Sequence, residues 1–173
     1  MGAIIQWIKT WLFRTSEPEV SEPVPQATIY FDSEVTFVCS KVSSTDPDEG
    51  PAEPVTEFRG EASVGELGHA IYQALTTVGP RVSPERFEEV IVDAFQRLEV
   101  ESWEQLEKRY WMINIWLEPD GQIKFQTMRK WYRGGYLAMD SDYDFQCAFE
   151  ESELGEAAVS AIRNLDRTTS RQR

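Results

Sequence analysis

The sequence predicts an α+β protein: antiparallel sheet with packed helices, in a pseudo-duplicated arrangement of strands followed by a helix, twice over. Three observations carry this. The stretch SVGELGHAIYQALTTV at 63–78 returns near the C-terminus as EESELGEAAVSAIRNL. Leu67, Ala70, Ile71, Ala74, Leu75 and Val78 form one stripe of a 3.6-residue helix, and Leu154, Ala157, Ala158, Ala161, Ile162 and Leu165 repeat it at a constant offset. Segments of two-residue alternation precede each copy. The Glu-Leu-Gly start recurs too, with Gly68 answering Gly155. A helical Gly costs roughly 1 kcal/mol against Ala, so a matched pair predicts a close backbone approach, the helix lying near a sheet.

Residues 1–14, MGAIIQWIKTWLFR, surround a narrow polar strip with apolar side chains. The stretch is too short to span a bilayer and lacks the basic start and small-x-small cleavage site of a signal peptide. Two readings stay open. It is an interfacial helix, with Trp7 and Trp11 at headgroup level and Lys9 and Arg14 snorkelling, giving weak membrane-surface contact. Otherwise it is a helix docked on protein. Residues 15–26, with three Pro and three Glu, read as an extended linker, so a single α+β domain is expected over 27–166 and a disordered tail over 167–173.

Within the domain, ATIYF and EVTFVCSKV alternate as a hairpin around Asp32-Ser33. SSTDPDEGPAEP reads as an acidic loop, and Val55–Arg59 as a short third strand. Ser63 with Glu66 makes a capping box for the first repeat helix. After Gly79-Pro80, Ser83 caps and Pro84 opens a second helix with the stripe Phe87, Val90, Ile91, Ala94, Phe95 and Leu98. Ser102-Trp103-Glu104-Gln105 opens a short third one, to about Lys108. YWMINIWL is apolar on both faces and reads as a central strand covered twice. Glu118-Pro119-Asp120-Gly121 turns the chain into QIKFQTM, Gly134-Gly135 joins two short strands, and YDFQCAF precedes the second repeat helix.

The chain carries thirty acidic against seventeen basic groups, a net charge of −13. Such a surface repels nucleic acid and anionic membrane over most of its area and suits a basic partner. The polar faces of the second and third helices concentrate this charge in Glu85, Glu88, Glu89, Asp93, Glu99, Glu101, Glu104 and Glu107. A solvated face accounts for them as well. Cys39 and Cys147 sit in separate strand-like runs and read as free thiols of a reducing compartment. His69, the only histidine, lies off the apolar stripe with no nucleophile motif around it. Asp140-x-Asp142-x-Asp144 begins like a calcium loop, but Phe145 stands where that loop needs Gly. No catalytic, cofactor-binding or metal-ligating residues are expected.

The segment SVGELGHAIYQALTTVGPRVSPERFEE, followed by Trp103-Glu104-Gln105-Leu106, Asp120-Gly121 and the second Glu-Leu-Gly helix, resembles the bacterial immunity proteins of contact-dependent growth inhibition. The resemblance covers roughly Val55 to Leu165 and rests on the order of the motifs. It implies a non-enzymatic cytoplasmic protein; residues 1–14, which depart from the family's pattern, add the inner face of the membrane as a second location. Its partner would be the toxin domain of its own system, often a nuclease, neutralised by occlusion of the active site. The alternative is a peripheral membrane-associated protein-binding module held by the N-terminal helix. An aromatic anchor ringed by carboxylates is the pattern expected of the contact. Trp131, Tyr132, Tyr136, Asp140, Asp142 and Asp144 provide it in one segment, and a core position for those aromatics is the competing reading.

Overall fold

In the computed structural model, residues 24–45, 49–77, 81–130, 134–139 and 144–170 are described, the last five by backbone alone. Seven strands form one antiparallel sheet among them. They are β1 (Gln26–Phe31), β2 (Val35–Ser43), β3 (Glu49–Arg59), β4 (Trp111–Leu117), β5 (Ile123–Lys130), β6 (Tyr136–Ala138) and β7 (Phe145–Cys147). The order is β3-β2-β1-β4-β5-β6, and β7 shares the β6 side of β5, pairing with its opposite end. The helices are α1 (Val64–Thr76), α2 (Pro84–Arg97), α3 (Trp103–Arg109) and α4 (Glu151–Ser170). Three strands precede α1 and four precede α4, as the repeat requires.

Period-two alternation sends the strands' side chains into two cores, one on each face of the sheet. On one face Ala27, Ile29, Phe31, Ile113, Ile115, Ile123 and Phe125 meet the stripes of α1 and α4. On the other, Tyr30, Phe37, Cys39 and Val55 meet Phe87, Ile91 and Phe95 of α2 and Leu106 of α3. Burying a side chain of this size stabilises by about 1.5–3 kcal/mol, so both repeat helices are held mainly by their stripes. Val78, last of the first stripe, lies outside the described residues.

The helix starts follow the caps. Ser63 and Glu66 complete both halves of a capping box on α1. The Ser83 hydroxyl accepts from Arg86 N–H, with Pro84 in the first turn. Glu99, just past α2, takes φ 55°, the left-handed conformation that often ends a helix.

Three expectations change. The matched glycines meet each other's helix rather than the sheet: Cβ atoms at Gly68 and Gly155 would overlap the carbonyl oxygens of Glu151 and Val64. The third strand starts at Glu49, inside the stretch read as a loop. Pro51 and Pro54 are tolerated there because β3 is an edge strand, where a missing N–H need not break a ladder. Strand β4 is central, but only Ile113 and Ile115 are fully buried. On its other face Met112 packs at the margin of the α2 and α3 core, while Asn114 and Trp116 stay half-buried. Pairing reaches back to Pro25, whose carbonyl accepts from Leu117 N–H (3.2 Å), and α4 continues through Ser170.

Candidate protein-binding surface

Helix α3 is short, and its position is fixed from both ends. At its start the Ser102 hydroxyl accepts from Gln105 N–H (3.3 Å), while the Gln105 side-chain oxygen accepts from Glu101 N–H (2.9 Å). This reciprocal cap places Trp103 at the first helical position, where the indole is 41% exposed. The ring is nonetheless held. It and the Phe95 ring meet edge to face, with centroids 5.0 Å apart and planes at 81°. Gly50 of β3 lies against it: a Cβ there would stand 2.9 Å from Trp103 Cη2 and would overlap Ile91 Cδ1. Gly50 is thus required by the close approach of Ile91 and the indole.

Trp103 forms one wall of an open cleft of about 440 Å³, with Ser44, Glu49, Pro84, Phe87 and Glu88 around it. Glu49 is tied to Lys41 Nζ (2.9 Å) and Gln26 Nε2 (3.4 Å). Burial pushes its carboxyl up, but the Lys41 hydrogen bond and charge outweigh this and leave it below the ordinary range. Glu88 is exposed and makes no ion pair among the described residues. Along 84–109 stand eight carboxylates and four cations. Glu89 pairs with Arg86, Glu104 with Lys108, and Glu99 with Arg59 and Arg109. Glu88, Asp93 and Glu101 have no such partner in the described fold.

At the other end of α3, Glu107 Oε2 accepts from Gly135 N–H at 2.6 Å. The Tyr136 hydroxyl reaches Tyr110 O (2.8 Å) and Leu106 O (3.2 Å), and Lys130 Nζ donates to Lys108 O at 2.7 Å. Burial, then the Glu107 charge, pushes the Tyr136 phenol well up, so it remains a donor. Gly134 and Gly135 carry φ of 93° and 86°, which glycine adopts freely. The glycine turn and the acidic helices, separate in sequence, therefore join at α3.

Tyr136 and Asp144 are thus engaged within the fold. Asp144, 13% exposed, lies 3.4 Å from Lys124 Nζ, and its Oδ1 is buried without a hydrogen-bond partner among the described residues. Lys124 also stands over the Trp116 ring, 5.4 Å from its centroid. Trp131, Tyr132, Asp140 and Asp142 lie outside the described residues, as do Trp7, Lys9, Trp11 and Arg14. Trp103 was legible as part of a cap but not as the wall of a cleft. The available signal was an indole at a helix start, flanked by Glu101 and Glu104 and off any apolar stripe.

Elsewhere, His69 Nδ1 lies 3.1 Å from Glu151 Oε1 at the α1–α4 crossing. Both cysteines are free. Burial, then Glu53, pushes the Cys39 thiol up; burial, then Glu153, raises Cys147 to about 11. Among the described residues no helix is long and apolar enough to cross a membrane.

The chain matches no protein-family model and no curated protein. Its fold does match solved structures. A protein of unknown function from Neisseria meningitidis aligns with a TM-score of 0.61 at 18% identity, over 80% of this chain and 93% of that one. A chain of the CdiA-CT/CdiI toxin and immunity complex from Yersinia pseudotuberculosis aligns with a TM-score of 0.58 at 13% identity, over 80% and 95%. At these identities the likeness is one of fold.

Proposed function

We propose that this protein is an immunity protein of a contact-dependent growth inhibition system, binding and neutralising the toxin domain of its own system. The observation that carries this reading is the fold shared with a chain of a toxin and immunity complex over 95% of that chain. The ordered Glu-Leu-Gly, Trp-x-x-Leu and Asp-Gly motifs, read from sequence alone, support it independently. The protein acts in the cytoplasm by binding, without catalysis or cofactor.

A net charge of −13 favours a basic partner, as a nuclease domain with a phosphate-binding cleft would be. Carboxylates take the place of the substrate's phosphates and close the toxin's active site. Coulomb attraction speeds encounter and makes it salt-dependent, and aromatic anchors slow release. The segment Trp131–Asp144 belongs to the proposed contact through Trp131, Tyr132, Asp140 and Asp142. Its glycine turn is fastened to α3 by Glu107.

Co-expression tests the reading. The toxin domain encoded beside this chain's gene is induced in a susceptible strain with and without this protein. Growth restored only in its presence supports the proposal. Equal growth arrest with and without it, at matched expression, overturns it.

A further inference from the structure

The toxin-binding reading leaves open how the acidic surface grips a cation. The cleft at the start of α3 combines three features. Its volume, about 440 Å³, falls within the range of ligand pockets. One wall is a half-exposed indole that Phe95, Ile91 and Gly50 hold in place, so little side-chain freedom is lost when something packs on it. Its rim carries two carboxylates with different standing: Glu49 already bound to Lys41, and Glu88 uncommitted.

These features define the guest. A neutral apolar side chain would use the indole but desolvate Glu88 without return, which is costly. An anion would meet two carboxylates. A lysine or arginine side chain satisfies every wall. Its methylenes pack on Pro84 and Phe87, and its cation lies over the indole, the best of the aromatic faces for that contact. Its N–H groups donate to Glu88, and an arginine fork can do so in a bidentate way. Glu49 keeps Lys41 as its partner and feels the Arg81 charge as well, so the carboxylate left for the guest is Glu88, matched by one cation.

We propose that the Glu49–Glu88–Trp103 cleft receives one lysine or arginine side chain of the basic toxin domain, stacked on Trp103 and ion-paired with Glu88. This rests on the toxin-binding reading and names its anchor.

The test measures binding of the toxin domain encoded beside the gene, immobilised for interferometry, to full-length wild type, Glu88→Lys, Trp103→Ala and Glu156→Lys. Glu156 is exposed on α4, across the sheet, and controls for loss of net charge. Melting temperature is followed for each variant. Glu88→Lys is a solvent-facing change and is expected to melt as wild type does while losing at least tenfold in affinity. Trp103→Ala is expected to raise the off-rate by a similar factor. Glu156→Lys is expected to change affinity less than threefold. Wild-type binding with Glu88→Lys and Trp103→Ala unchanged, or with Glu88→Lys no worse than Glu156→Lys, overturns the cleft assignment alone. No binding by wild type overturns the toxin reading and the cleft with it.

Discussion

Gly68 and Gly155 hold each other's helix in a reciprocal contact. A Cβ on Gly68 would overlap the carbonyl oxygen of Glu151, four residues before Gly155. A Cβ on Gly155 would overlap the carbonyl oxygen of Val64, four residues before Gly68. The exchange is symmetric, so the two copies of the repeat meet across a local two-fold relation, backbone on backbone. His69 and Glu151 bridge the same crossing from the solvent side.

This contact predicts an inverted helix-propensity effect. In an ordinary exposed helix, Gly→Ala stabilises by up to about 1 kcal/mol. Here Gly68→Ala and Gly155→Ala are each expected to lower stability by about 1–3 kcal/mol, because backbone atoms must part and α1 and α4 lose their fit over the sheet. Urea unfolding of the two variants measures it. A gain in stability from either would show that the helices do not approach so closely.

A second prediction concerns acid. Glu99 accepts hydrogen bonds from Arg59 (2.8 Å) and Arg109 (3.3 Å), tying β3 to the end of α3. The Arg59 bond, then the Arg109 bond and their charges, hold its carboxyl below the usual 4.5. A carboxylate lowered in the folded state adds stability above its unfolded value and loses it as pH falls through the folded one. Glu99→Gln removes that contribution at neutral pH. Its melting temperature is therefore expected to fall less than wild type's between pH 7 and pH 3. Parallel curves would mean the two arginines do not act on Glu99 in solution.

The N-terminal segment is tested on the full chain. Membrane contact through Trp7, Lys9, Trp11 and Arg14 predicts that the intact protein sediments with anionic vesicles. The same protein lacking residues 1–23 is expected to stay in the supernatant, with an unchanged melting temperature because strand pairing begins at Pro25. Equal behaviour of both forms would assign the segment to protein contacts instead.

The parts of the fold legible in the sequence are those set by local chemistry. Ser63, Ser83 and Ser102 announced three helix starts because a capping oxygen must sit within three residues of the N–H it serves. The stripes of α1 and α4 and the alternation of β1, β2 and β5 were legible for the same reason. What escaped depends on distant partners. Gly50, Pro51 and Pro54 carry the composition of a loop and become strand only because β2 offers its edge. Gly68 signalled a close approach, but its neighbour is Glu151, far along the chain. The site divides likewise. The acidity of α2 and α3 is a property of composition. The proposed Trp103 anchor depends on β3 bringing Gly50 against an indole that local sequence could only mark as part of a cap.

In the proposed function this acidic surface closes the active site of a basic toxin domain encoded beside the gene. If that toxin domain is the proposed nuclease, the most direct measurement is its nucleic-acid cleavage rate with this protein at equimolar concentration. We predict that cleavage is abolished, and that the on-rate of the complex falls steeply as salt is raised. Undiminished cleavage in the presence of excess protein would contradict the account.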